Sequence, residues 1–178
     1  MPDTLLHLFG GAITASAPSN LFDASEIRQV PDTQEVLLFP DSSISIIVEI
    51  LQRVEPNDNQ DAIKFHFDSL AHDNDALTSE VVSVNLIPND RGDATPSIIT
   101  LSGVQRVPKF NKTNPDEVRI LMALYRVVSN GIDLVVTFNI PVLSEDGGAV
   151  QGENLNQAQD QFDLFSRSLR IEDFGVFV

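Results

Sequence analysis

Histidine and aspartate side chains are concentrated between residues 61 and 75, where they offer metal ligands and proton donors. They are His66, His72, Asp61, Asp68, Asp73 and Asp75. Aspartate oxygens suit a hard cation, but this spacing does not match a calcium-binding loop. His66 and His72 lie six positions apart, which is not one helical face, so a shared metal site on one helix is disfavoured. We interpret His66 as a structural histidine at the edge of the core.

Sequence motifs with a known catalytic mechanism are missing. The chain has no P-loop, no G-x-G-x-x-G and no G-x-S-x-G, and the Gly10-Gly11 pair is too short to hold a phosphate by itself. The absence of cysteine excludes disulfides, thiolate zinc sites and cysteine nucleophiles. We therefore expect no enzyme and no cofactor. One catalytic alternative stays open, a small hydrolase that uses His66 or His72 with nearby acids.

The charge of the chain is strongly negative and unevenly spread. The formal net charge is −15, and residues 1–80 hold 14 Asp and Glu against 3 Lys and Arg. Such a surface repels nucleic acid and anionic lipid, and it steers association with a basic protein face. No apolar run approaches the ~20 residues of a membrane span. We expect a protein partner and neither nucleic acid nor a membrane, although a solubilising surface would show the same excess of acid.

The first half of the chain predicts short strands followed by two helices. Residues 11–15 and 34–39 are typical of strands, and Asp23 is placed to cap one helical turn before Pro31. Apolar residues from Ile44 to Val54 recur at helical spacing and predict a first helix. A second helix is predicted over 63–70.

The second half changes to the period of β-strands. Strands are predicted at 82–86, 99–101, 118–128 and 132–140, and a final helix over 158–169 follows a polar loop at 144–153. The strand at 118–128 is apolar on both faces, with Arg126 as an interruption, and Asn130-Gly131 after it is a strong hairpin signal. A strand buried on both sides needs cover on both faces. We therefore predict one α+β domain over 1–178, an antiparallel sheet sandwiched between α-helices.

Three segments near the start carry a resemblance to a known family. They are Leu8-Phe-Gly-Gly-Ala-Ile-Thr14, Phe22-Asp-Ala-Ser-Glu-Ile-Arg28 and Val30-Pro-Asp-Thr-Gln-Glu-Val36. In order and spacing they resemble the N-terminal signature of the Mog family of Ran-binding nuclear import factors. Weaker similarity follows at 45–51, 65–68 and 133–141, while 74–115 and 144–154 match no part of the pattern.

The resemblance implies a PsbP-like fold and an activity. The implied activity is binding of the GTPase Ran and release of its guanine nucleotide in support of nuclear protein import, with residence in the nucleus and also in the cytoplasm. We expect the protein to be a monomer. The Ran-binding acids of the family correspond to Asp23, Asp32 and Glu35, and Arg28 also fits the signature.

Each of these residues has a competing structural interpretation. Asp23 is a candidate cap, Asp32 is favoured in a turn after proline, Glu35 can face solvent at the start of a strand, and Arg28 can pair with a neighbouring acid. The alternative function is an acidic adaptor that binds a basic partner without exchange activity.

Overall fold

The computed structural model describes residues 2–109, 113–144 and 149–178. Ten strands and two helices alternate with short 3-10 turns in this part of the chain. The first strands are β1 (Asp3–Leu8), β2 (Ile13–Pro18), β3 (Phe22–Asp23), β4 (Gln34–Leu38) and β5 (Ser45–Gln52). Helix α1 (Asn59–Asp73) is followed by β6 (Thr78–Ile87), β7 (Ile98–Val107), β8 (Asp116–Val127) and β9 (Ile132–Leu143). Helix α2 (Glu153–Ser168) and β10 (Arg170–Ile171) come last.

Seven strands form one large antiparallel sheet in the order β3-β4-β5-β9-β8-β7-β6. A small sheet, β1-β2-β10, packs with α2 over one face, and α1 covers the other face. The predicted α+β architecture, with helices on both faces of an antiparallel sheet, is confirmed. None of the helices in the described ranges is both long and apolar enough to cross a membrane.

The central strand β8 shows why two helical layers are needed. Leu121, Ala123 and Tyr125 belong to the core beneath α2, whereas Ile120 and Met122 belong to the core beneath α1. Successive side chains of a strand point to opposite faces, so an apolar residue at nearly every position must be covered from both sides. The two-sided pattern of this strand was correctly interpreted from sequence.

The helix predicted over 44–54 is wrong, because this segment is strand β5. Ile46 and Val48 are fully buried on one face, and β5 is hydrogen-bonded between β4 and β9. The run Ile46-Ile-Val48 is β-branched and continuously apolar, and such a run fits helical and strand spacing equally. In the turn between β4 and β5, Ser42 Oγ accepts a hydrogen bond from the Ile44 amide at 3.3 Å.

The other predicted elements are present with shifted boundaries. Helix α1 begins at Asn59, four residues before the predicted start, because the Asp58 side chain accepts a hydrogen bond from the Asp61 amide and caps the helix. The Asn130-Gly131 hairpin joins β8 to β9, with Gly131 at a φ of 65°. Strand β1 was not predicted. Residues 145–148 of the predicted loop at 144–153 lie outside the described residues.

Candidate partner-binding face

Asp23 lies at the free edge of the large sheet, in β3. Its carboxylate accepts a hydrogen bond from the Ser25 amide at 2.9 Å and caps the 3-10 turn Ala24–Glu26. The predicted capping role is confirmed. The side chain is half-buried, and a carboxylate has further lone pairs, so capping leaves capacity to bind a second donor.

Glu35 lies on β4, next to the edge strand, and its carboxylate holds a distant loop. Its Oε1 accepts a hydrogen bond at 2.8 Å from the amide of Phe9, 26 residues earlier. Phe9 has a φ of 51°, in the left-handed region that is unfavourable for a bulky side chain, and Gly10 and Gly11 continue the turn at 70° and 94°. The interpretation of Glu35 as a side chain that merely faces solvent is therefore wrong. It fixes the turn at Phe9 and keeps a second oxygen for another donor.

Asp32 is the most accessible of the three acids. It is exposed in the turn that precedes β4, where the Gln34 amide donates to the Pro31 carbonyl at 3.0 Å. The turn is tied to β5, because the Ile50 amide donates to the Thr33 carbonyl at 2.9 Å. No hydrogen bond or ion pair engages the Asp32 carboxylate among residues 2–109, 113–144 and 149–178. Its backbone is fixed while its charge is free.

The strand register places two of the acids on one face of the sheet. Asp23 is paired with Leu37, and Glu35 is two residues from Leu37 along β4, so Asp23 and Glu35 are diagonal neighbours on the side covered by α2 and the small sheet. Asp32 precedes the same strand by two positions. We call Asp23, Asp32 and Glu35 on this edge the acidic edge.

Arg28 lies at the end of the 3-10 turn, with its amide donating to the Ala24 carbonyl at 3.0 Å. The side chain is exposed, and it forms no ion pair within the described ranges, so the interpretation of Arg28 as the partner of a nearby acid has no support there. Nothing in its contacts links it to the acidic edge.

An open cleft of about 520 Å³ adjoins Asp32, and sequence analysis did not find it. Its apolar lining comes from four separate parts of the chain: Phe9, Ile50 and Leu51, Ile132, and Val176 and Phe177. Asp32 and Gln52 line it as well, and Val178 stands at its side, fully exposed. The only part of the cleft that stands out in the sequence is the apolar run at 176–178. The sequence alone does not show which other residues lie beside that run.

A second cluster of charged residues is buried away from the acidic edge. Asp133, fully buried on β9, is paired in register with Arg126 on β8, whose Nε donates to Oδ1 at 3.1 Å. His66 of α1 lies with Nε2 at 2.8 Å from Oδ2, and the Val54 amide donates to the same oxygen at 3.2 Å. Arg126 also donates to the carbonyls of Val54 and Pro56. The cluster joins α1 and the loop before it to the central sheet.

The environment of Asp133 keeps its carboxyl group ionised. Burial raises the pKa of the Asp133 carboxyl, but hydrogen bonds from His66, the Val54 amide and Arg126 outweigh burial and hold that pKa below its ordinary value. An ionised carboxylate only accepts, so His66 Nε2 carries the shared proton. His66 is the structural histidine that was predicted.

The contacts of His66 in the described ranges are those of a structural residue. The ring of His66 is hydrogen-bonded to Asp133 alone within these ranges. Across the same part of the chain, no group of three His, Asp or Glu side chains is arranged to hold a metal ion. The structure therefore gives the hydrolase alternative no support from the geometry of the described residues.

Comparison with known proteins identifies relatives over nearly the whole chain. The family model described as "Ran-interacting Mog1 protein" matches residues 6–141. A Ran guanine nucleotide release factor from Danio rerio is 35% identical, covering 96% of this chain and 97% of the relative. The human protein of that name is 32% identical, with 96% and 94% covered.

A solved structure agrees with these relatives. The crystal structure of the Saccharomyces cerevisiae Ran-binding protein Mog1p superposes with a TM-score of 0.78 at 26% identity, covering all of both chains. The signature segments over 8–36 lie within the matched region.

Proposed function

Because the chain belongs to the Mog1 family of Ran-interacting proteins, we propose that it binds Ran through the acidic edge and promotes release of the bound guanine nucleotide. Its relatives are named as release factors and nuclear import proteins, so it is a regulator of a GTPase rather than an enzyme. Those names also imply a part in nuclear transport. Residence in the nucleus and also in the cytoplasm belongs to this proposal.

The observation that carries the proposal is that the Asp32 carboxylate is exposed and has no hydrogen-bond or ion-pair partner in the described ranges. An aspartate in a turn can accept a hydrogen bond from its own backbone, yet this carboxylate is exposed. The backbone on either side of it is fixed by the hydrogen bonds from Gln34 to Pro31 and from Ile50 to Thr33. A positioned charge loses little conformational freedom when a partner binds. Asp32 and the second oxygen of Glu35 can therefore each accept a basic side chain of Ran.

The acids promote release by binding one state of Ran better than another. A GTPase holds its nucleotide through a lysine, Mg²⁺ and backbone amides around the phosphates. Carboxylates that bind basic residues near that site stabilise Ran after the phosphates leave. The coupling is reciprocal, so bound nucleotide weakens the affinity for this protein by the same factor that this protein weakens nucleotide binding.

Release of a fluorescent guanine nucleotide from purified Ran tests the proposal. The wild-type protein should accelerate release, and Asp32→Asn, which keeps the shape and removes the charge, should reduce the acceleration about tenfold at low salt. Asp41→Asn is the matched control, because Asp41 is also exposed but lies between β4 and β5 at the opposite end of these strands. It should behave as wild type.

The same assay separates the competing function. Tight binding to Ran without faster release would favour the acidic adaptor. Absence of both binding and release would overturn the proposal. Equal loss in Asp32→Asn and Asp41→Asn would assign the effect to net charge and not to the acidic edge.

A further inference from the structure

We propose that the cleft beside Asp32 is the second half of the Ran-binding surface and receives an apolar side chain flanked in Ran by basic residues. This inference rests on the proposed function, and it adds a contact that depends on apolar burial instead of charge. The occupant is a segment of the same partner that engages the acidic edge.

The chemistry of the cleft suits an apolar side chain. Asp32 is the single residue with a charged side chain among those that line it, and no Lys or Arg is present there. Ile50 and Ile132 are half-buried and pack against the core beneath α2, and they line the cleft with the apolar surface that stays accessible. An apolar centre with a polar rim is the usual anatomy of a protein interface, and an anchoring side chain in a pocket contributes most of its affinity.

The walls of the cleft are held in place before any partner binds. The Phe9 turn is fixed by Glu35, and β5 is tied to the Asp32 turn through Thr33. The C-terminal 3-10 turn Phe174–Phe177 is capped by Asp173, whose carboxylate accepts from the Gly175 amide at 2.8 Å. The amides of Glu172 and Asp173 both donate to the Ala12 carbonyl. A preformed cleft avoids the entropic cost of ordering its walls on binding.

The cleft and the acidic edge are one continuous surface. Asp32 belongs to both, and Phe9 joins them, since its amide is bound by Glu35 while the residue lines the cleft. A basic segment that reaches Asp32 and Glu35 is therefore next to the apolar walls. Residues 1–80, which contribute Phe9, Asp32 and β5, carry most of the negative charge, so the surroundings favour basic flanking residues in the partner.

The test measures the affinity of the intact protein for Ran at two salt concentrations. Gln52→Trp places a large side chain at the exposed lining of the cleft and should weaken binding about tenfold, and Val178→Ser should weaken it about threefold. Both losses should be the same at low and high salt, because apolar burial is not screened. Asp32→Asn should instead lose affinity mainly at low salt. Both cleft positions are exposed, so the melting temperature should stay unchanged.

Leu86→Ser is the matched control, since Leu86 is an exposed apolar residue on β6, at the other edge of the large sheet. It should bind Ran as wild type does. If Gln52→Trp and Val178→Ser also bind as wild type while Asp32→Asn is weakened, the cleft is not part of the interface and this inference is wrong, although the proposed function stands. If the wild-type protein does not bind Ran, the proposed function fails and the cleft loses its occupant.

Discussion

The acidic edge and the cluster around Asp133 use the same carboxylate chemistry in opposite surroundings. Asp133 is fully buried and accepts hydrogen bonds from His66, Arg126 and the Val54 amide. Asp32 is exposed with no partner in the described ranges. A buried carboxylate is tolerated only when hydrogen bonds and paired charges satisfy it, so the charge of Asp133 is engaged within the fold and is not available to another molecule. A free carboxylate on a fixed backbone contributes little to the fold and is available to another molecule.

The largest effect that follows from this comparison is on stability. Asp133→Asn removes the charge that compensates Arg126 in the core, and it should lower the free energy of unfolding by about 3 kcal/mol. Urea unfolding measures this, with Asp32→Asn as the control, which should change the same quantity by less than about 0.5 kcal/mol. Equal losses in both variants would contradict the division between a structural and a binding carboxylate.

The pH dependence of that loss sharpens the comparison. Since the pKa of Asp133 is lower in the folded protein than in the unfolded chain, its stabilisation is fully present above the unfolded pKa of about 3.9. It is lost as the pH falls from there through the folded pKa. The difference in unfolding free energy between wild type and Asp133→Asn should therefore shrink as the pH falls below about 4. A difference that persisted unchanged at pH 3 would show that the loss comes from packing and not from the ionised carboxylate.

How far the sequence predicted each region depends on how local its causes are. The two faces of β8 were readable because each keeps its own apolar set at period two. Segment 44–54 was misread because a continuous β-branched run has no distinctive period, and only its neighbours β4 and β9 decide the outcome. Local capping by Asp23 was predicted from spacing within a few residues.

Contacts between distant segments were not predictable in the same way. The Glu35 bond to the Phe9 amide spans 26 positions. The Arg126–Asp133 pair is joined by His66, which comes from the separate element α1. The residues that line the cleft come from five segments, at positions 9, 32–33, 50–52, 132 and 176–178. The resemblance over 8–36 identified residues of the acidic edge, but it gave no distances between them. The hydrogen bond from the Phe9 amide to Glu35 is therefore known only from the structure.

Glu35 belongs partly to both regions, and two substitutions separate its roles. Glu35→Ala removes the acceptor of the Phe9 amide and should lower the unfolding free energy by about 1–2 kcal/mol, because that amide is left unsatisfied in a strained turn. Glu35→Gln retains a side-chain oxygen to accept the bond and should cost about half as much or less. Urea unfolding of the two variants measures the difference. If neither variant loses stability, the bond to Phe9 contributes nothing to the fold.

Nucleotide release measured with the same two variants then shows whether the charge of Glu35 acts on Ran. If its carboxylate binds Ran directly, Glu35→Gln should slow release nearly as much as Glu35→Ala, although its turn is intact. Should Glu35→Gln release nucleotide as wild type does, Glu35 acts only by positioning Phe9 and the cleft wall.

The smallest expected change is at Asp23, whose carboxylate accepts a hydrogen bond from a local backbone amide. Asp23→Asn keeps an oxygen that can cap the Ser25 amide, so the unfolding free energy should change by only a few tenths of a kcal/mol. Its effect on Ran should be smaller than that of Asp32→Asn, because the Asp23 carboxylate is half-buried and already shares its charge with a backbone donor. Affinity measurements at low salt rank the two variants. A larger loss for Asp23→Asn would show that a carboxylate engaged in capping can still be the principal contact, and that freedom from local partners is not what marks the binding residue.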